Sequence, residues 1–146
     1  YSPLAYINTN IVGTYNVLES CKKLNTKQLI VTSTSEVYGS ALYTPIDEKH
    51  PIQAQSPYSA SKSSADNLAI SYHKSFGLPV KIIRPFNTYG PRQSLRAVIP
   101  TIINQVLDKK AKNIELGDIS TKRDFTFVED TCAAYKHILK LKKYGG

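Results

Sequence analysis

The chain has 146 residues, of which 41% are apolar and 21% charged, and a formal net charge of +8. That length suits one globular core and is short for two ordinary domains. The longest apolar runs, such as residues 97–103, are interrupted by Pro100 and Thr101 and fall well short of the roughly 20 residues of a membrane span. The positive charge lies in scattered lysines and in pairs such as Lys22-Lys23, Lys109-Lys110 and Lys142-Lys143, near expected helix C-termini where it complements the helix dipole. A nucleic-acid face needs denser Lys/Arg interleaved with exposed aromatics, so neither nucleic acid nor membrane is an expected partner.

Tyr1-Ser2-Pro3-Leu4 has no initiator Met, basic region or apolar signal core, as expected of a cut through a longer chain. Cys21 and Cys132 fit neither a disulfide framework nor a metal spacing. They read as buried free thiols of a cytoplasmic protein. His50, His73 and His137 have no carboxylate or cysteine at ligand spacing, so no metal is expected.

Leu4, Ile7, Ile11, Tyr15, Leu18 and Cys21 recur at three- and four-residue steps, which predicts an amphipathic helix to about Leu24. Residues 28–33 follow as a short apolar strand without polar alternation, as in a parallel strand covered on both faces. Residues 39–57, rich in Pro, Gln, Ser and charge, read as a long surface loop. Helical spacing returns from Tyr58 to Phe76 and stops at Gly77-Leu78-Pro79. A second buried strand is expected at residues 80–83, then a turn-rich stretch at 87–94 and a helix near 96–110. Short strands near 114–116 and 125–128 and a final helix from about 129 to 143 complete the reading. The alternation of helix and strand predicts an α/β fold with a parallel sheet and right-handed crossovers.

Tyr58 and Lys62, four apart near the start of one helix, project from one face into the space beyond the strand ends where α/β sheets bind ligands. A free tyrosine is a poor base at neutral pH, and a nearby ammonium stabilises its phenolate. Directly after the first strand comes Thr32-Ser33-Thr34-Ser35-Glu36-Val37-Tyr38-Gly39, three hydroxyls and a carboxylate that packing alone does not explain. Thr34 and Glu36 share a side if the extended backbone continues that far.

That segment, Ser56-Pro57-Tyr58-Ser59-Ala60-Ser61-Lys62, residues 84–91 and residues 123–128 resemble, in order and spacing, successive signatures of the extended short-chain dehydrogenase/reductases that act on nucleotide sugars. These form the NAD-dependent epimerase/dehydratase family. The resemblance implies a partial Rossmann-like, doubly wound parallel sheet. Residues 1–95 would be the second half of an NAD-binding domain with the catalytic residues. Residues 96–146 would be part of the substrate-binding region and its return to the sheet. It further implies that Tyr58 is the base, that Lys62 holds the nicotinamide ribose and tunes Tyr58, and that Thr34 hydrogen-bonds the reacting sugar oxygen. Thr9, Ser33 and Phe86 match cofactor positions, and Asn10 and Gly13 serve packing. Asn87 and Arg123 match substrate positions, Arg123 at the diphosphate, for which an Arg fork is suited. A homodimer through the helices starting near Leu4 and Tyr58 is usual for the family.

The triplet Thr34-Ser35-Glu36 resembles that of 4,6-dehydratases, especially the GDP-mannose and UDP-N-acetylglucosamine kinds. Epimerases usually lack the third-position carboxylate. Once C4 is a ketone the C5 proton is acidified, and a carboxylate placed like Glu36 removes it while the C6 hydroxyl leaves. The dTDP-glucose dehydratases usually carry Asp where Ser35 stands, so either Ser35 relays a proton or Glu36 serves as base and acid. The expected activity is a 4,6-dehydratase acting on UDP-N-acetylglucosamine or a related nucleotide sugar. A 4-epimerase, a UDP-glucuronate decarboxylase and an inactive interaction domain are the alternatives.

The seven glycines stand at 13, 39, 77, 90, 117, 145 and 146, and none forms the Gly-rich turn that cradles a dinucleotide pyrophosphate. This polypeptide alone is therefore expected to bind NAD weakly or not at all and to show no turnover. Isothermal calorimetry with NAD checks this: heat fitting a micromolar Kd would overturn it.

Overall fold

Ser2 is extended and Pro3 presets φ for a first helical turn. From there a continuous helical path runs as α1 (Pro3–Tyr6), a π-helical segment (Ile7–Val12) and α2 (Gly13–Lys23) in the computed structural model, which describes residues 2–145. The apolar periodicity locates this path but not the π segment, where the Gly13 N–H donates to the Asn8 carbonyl five residues back. Wide turns of this kind often mark functional sites. Here the segment carries Asn10, whose Nδ2 donates to Ser61 Oγ at 2.9 Å.

Two compact units divide the chain. One holds the residues up to Pro85 together with those from Tyr135 onward; the other is Phe86–Ala134. In the first, β1 (Leu29–Thr32) pairs in parallel with β2 (Val80–Ile83), Leu29 opposite Val80 and Thr32 opposite Ile83. The crossover between them contains α3 (Pro57–Phe76), which opens on a capping box between Ser56 and Ser59 and closes on Gly77 at φ 70°, a conformation glycine adopts without cost. Leu18 of α2, Ala69 and Tyr72 of α3, Leu78 and Val80 form the buried core, with Leu29, Val31 and Ile82 packed against it. Lys81 is a charged residue inside the expected apolar strand and is only 3% exposed. Its Nζ donates to the Ile138 carbonyl at 2.7 Å and to the Leu141 carbonyl, satisfying the end of α5 (Val128–Lys140) and its dipole.

In the second unit β3 (Asn87–Tyr89) pairs in parallel with β4 (Phe125–Phe127), and α4 (Val98–Leu107) lies between them in sequence. Pro100 falls in the first turn of α4, where its missing N–H breaks no helical bond. The sequence reading takes residues 87–94 as turn, but the first three form β3. The strand expected near 114–116 does not form. The Gln105 side chain occupies both backbone groups of Glu115, Nε2 donating to its carbonyl at 2.9 Å and Oε1 accepting its N–H at 2.6 Å. Helix α5 ends at Lys140 instead of 143. Cys21 packs at the core edge as expected, whereas Cys132 is exposed. It stands one residue past Thr131, which with Tyr135 and Ile138 forms the half-buried stripe of α5, about 100° away round the helix.

The α2–α3 contact has a polar edge. Tyr72 Oη donates to Glu19 Oε1 at 2.6 Å, and Lys22 pairs with the same oxygen at 2.7 Å. The bond to Glu19 first, then burial, raises the Tyr72 phenol to about 12. Because the folded value exceeds the unfolded one, this stability is complete below about pH 10 and is lost as the pH rises towards about 12. Tyr72→Phe should lower Tm at neutral pH. The difference from the wild type, followed by circular dichroism, should shrink across that alkaline range.

Candidate active site

The backbone pairing of β1 with β2 outlasts the strands themselves. Ser33 N–H donates to the Ile83 carbonyl at 2.8 Å and Ser35 N–H to the Pro85 carbonyl at 3.0 Å. Thr34, extended at φ −154°, caps a 3₁₀ turn of Ser35–Tyr38, its hydroxyl accepting the Glu36 N–H at 3.3 Å. The condition set on the sequence, an extended backbone through Glu36, is thus not met. The chain coils at Ser35, and the turn brings Glu36 round instead. Gly39 ends it at φ 67°, where a Cβ would collide with the Gln53 carbonyl. The same return of the loop lets Gln53 N–H donate to the Val37 carbonyl at 2.9 Å.

Above this turn stands the first part of α3. The half-buried Tyr58 ring meets Tyr6 edge-on at 5.5 Å between centroids, and its phenol is hydrogen-bonded to the Thr34 side chain. Burial, then the negative charge of Glu36, raises the Tyr58 phenol above its usual value, and the Thr34 hydroxyl opposes them. This reverses the expected lowering by Lys62. The ammonium is engaged elsewhere, with Lys62 Nζ donating to the Thr32 carbonyl at 2.6 Å. Burial lowers the Lys62 ammonium from its usual value and Asp66 opposes that.

The structure thus gathers Thr34, Glu36 and Tyr58, with Lys62 on the adjoining strand end. Ser35 is half-buried. Ser33 is buried, with its hydroxyl donating to Asp66 Oδ2 at 2.9 Å. Thr9 is exposed on the π segment. In the second unit Asn87 and Arg123 line one cavity of about 410 Å³ with Leu116, Thr121 and Phe125. Asn87 Nδ2 donates to the Asp124 carbonyl at 3.1 Å and Arg123 Nη1 to the Lys122 carbonyl at 2.9 Å. Phe86, half-buried, begins that unit. A larger, mainly apolar cavity of about 480 Å³ lies between residues 89–93 and α4.

Sequence reasoning missed Asp66, Arg84 and Tyr38. Arg84 Nε donates to Asp66 Oδ2 at 2.9 Å and its Nη1 to Tyr38 Oη at 3.2 Å. The available signal was the placement of Asp66 four residues after Lys62, on the same helical face. Among the described residues no group of three or more His, Cys, Asp or Glu is placed to hold a metal ion, and no helix is long and apolar enough to cross a membrane.

Parallel strands joined through α3, with a hydroxyl-rich turn at their ends, make the chain part of a Rossmann-like domain. A family model described as GDP-mannose 4,6 dehydratase matches residues 1–145. The dTDP-D-glucose 4,6-dehydratase of Dictyostelium discoideum is 38% identical over 97% of this chain and 35% of its own length. The dTDP-glucose 4,6-dehydratase of Bacillus anthracis, solved in complex with NAD, superposes with a TM-score of 0.89 at 36% identity, over 99% of this chain and 46% of its own. A UDP-N-acetylglucosamine 4-epimerase from Methanobrevibacter ruminantium gives 0.89 at 33% identity, over 98% and 47%. The chain belongs to the extended short-chain dehydrogenase/reductases of the NAD-dependent epimerase/dehydratase family. It spans about a third to a half of the length of these relatives, which between them carry out 4,6-dehydration, 4-epimerisation and, in Arabidopsis thaliana, UDP-glucuronic acid decarboxylation.

The site makes a direct electrostatic prediction. With tyrosine labelled at Cζ and titrated by NMR, Glu36→Gln should lower the Tyr58 pKa and Thr34→Val should raise it. A Tyr58 pKa unmoved by either would refute the contacts described.

Proposed function

We propose that this chain carries the catalytic residues of an NAD-dependent nucleotide-sugar 4,6-dehydratase, a hydro-lyase of the cytoplasm acting on UDP-N-acetylglucosamine or a related nucleotide hexose. The observation that carries the reading is the grouping of Thr34, Tyr58 and Glu36 at one strand end: a hydroxyl bonded to a phenol, with a carboxylate close enough to shift it. An epimerase needs the first two; elimination gives the third a proton to remove at C5.

The residues present fit the reactive end of NAD. The end of β1, the half-exposed Lys62 and Tyr58 lie where parallel sheets take such ligands, and Thr9, Ser33 and Phe86 are assigned to its surroundings. NAD held there would supply the hydride acceptor for oxidation at sugar C4 and the hydride donor for reduction at C6. Tyr58, as phenolate, accepts the proton of the C4 hydroxyl, with Thr34 holding that oxygen and Lys62 orienting the ribose. Glu36 removes the C5 proton, and water leaves from C6 as the C5–C6 double bond forms, with Ser35 or Glu36 itself protonating the departing hydroxyl. Asn87 and Arg123, which share a cavity, are assigned to the nucleotide sugar, Arg123 to its diphosphate. The assembly is a homodimer through α1, α2 and α3, in keeping with the exposed Leu4, Tyr15 and Val17.

The whole protein carrying this chain, incubated in deuterated water with UDP-N-acetylglucosamine, UDP-glucose and GDP-mannose in turn, tests the reading. The expected product is a 4-keto-6-deoxy sugar with solvent deuterium at C5. An epimer without deuterium would replace the assignment, as would a pentose formed when UDP-glucuronate is supplied as a fourth substrate. Glu36→Gln should stop elimination yet leave NAD reduction measurable at 340 nm; full dehydration would remove Glu36 from the mechanism.

A further inference from the structure

Asp66 is 3% exposed, yet it carries a carboxylate. Its Oδ2 accepts from Ser33 Oγ and from Arg84 Nε, both at 2.9 Å. Its Oδ1 is buried and has no hydrogen-bond partner among the described residues. Ser33 and Arg84 are each the first residue past the paired strands, Ser33 after Thr32 and Arg84 after Ile83. One oxygen of an α3 side chain therefore gathers both strand ends, just where β1 hands over to Thr34.

Asp66 lies four residues after Lys62 and eight after Tyr58, within an arc of about 80° of one helix face. Any slide or roll of α3 that displaced Tyr58 from Thr34 would break the bonds of Asp66 to Ser33 and Arg84. Arg84 is itself fixed. Its guanidinium sits 5.4 Å from the Tyr38 ring centroid and bonds the Tyr38 hydroxyl, and Tyr38 belongs to the turn that carries Glu36.

We infer that Asp66 is the positioning residue of this site: by binding Ser33 and Arg84 it locks α3 against the end of β1 and holds Tyr58 and Lys62 in register with Thr34 and Glu36. The inference rests on the catalytic reading of Tyr58 given above. Asp66 also acts through charge. Burial depresses the Lys62 ammonium and Asp66 is the group that opposes it. On α3, Lys62 stands between Tyr58 and Asp66; from β1 it meets only the neutral Thr32 carbonyl. Across the site, Glu36 faces Tyr58.

The test uses the whole NAD-loaded protein and the nucleotide sugar it turns over, below the Tm of each variant. Asp66→Asn should cut kcat by about a hundredfold, the scale of a misplaced reacting group, with KM nearly unchanged. Removing the charge that favours protonated Lys62 should also move the alkaline fall of kcat to lower pH. Ser33→Ala, which keeps the ion pair, should show a smaller fall in kcat, again at constant KM, and serves if Asp66→Asn does not fold. Variants that lose Tm but keep kcat and pH profile would overturn the inference and leave Asp66 a structural anchor only. Tyr58→Phe, measured alongside, separates the two failures. If it is inactive while Asp66→Asn and Ser33→Ala keep full kcat, positioning alone falls. If Tyr58→Phe turns over normally, the base assignment falls and the inference with it.

Discussion

A carboxylate taken out of water must be paired, and Asp66 is paired with the two residues that begin where the strands end. Such a pair adds little net stability over an apolar replacement, because desolvation offsets attraction, but removing one partner strands a buried charge at about 3–5 kcal/mol. That asymmetry turns an ion pair into a geometric constraint. Burial works against the Arg84 charge, yet its bonds to Tyr38 and Asp66 outweigh that and raise it above its usual value. Arg84 stays charged, and the three elements it joins stay in register.

The apolar core is small, resting on Leu18, Ala69, Tyr72, Leu78 and Val80. Apolar packing is non-directional, so a core of this size fixes that α3 covers the sheet but not its rotation. Polar ties supply the direction. Asn10 to Ser61 joins the π segment to α3, Glu19 to Tyr72 joins α2 to α3, and Lys81 fastens the end of α5 to β2. The opening turns of α3, which present Tyr58 and Lys62, are thus held by Asn10 at one side and Asp66 further along.

Much of this was legible in the sequence. Apolar spacing located α2, β1, α3 and β2 because each buries a face whose period the residues must follow. Gly77 marked the end of α3 through capping chemistry. The motifs pointed to the end of β1, since three hydroxyls and a carboxylate after an apolar strand are not explained by apolar packing alone. What escaped depended on contacts remote in sequence. No local pattern shows that Gln105 will occupy both backbone groups of Glu115, that Lys81 will be buried on the carbonyls of α5, or that Asp66 will meet an arginine 18 residues on. The direction of the Tyr58 shift escaped for the same reason. Helical spacing put Lys62 near the phenol, but the Thr32 carbonyl at the strand end captured its ammonium.

That shift bears on how a phenol and a carboxylate work in sequence. By raising the Tyr58 pKa, Glu36 makes the phenolate scarcer and also a stronger base, the two sides of the Brønsted relation. The repulsion between phenolate and carboxylate is relieved when Tyr58 accepts a proton, so the negative Glu36 favours transfer from a bound sugar hydroxyl. Thr34, bonded to both the phenol and the Glu36 backbone, ties the two groups together. In the proposed reaction Glu36 thus acts twice, first through its charge on the oxidation and then through its lone pair on the elimination, and an epimerase lacking it would need another group to tune the tyrosine.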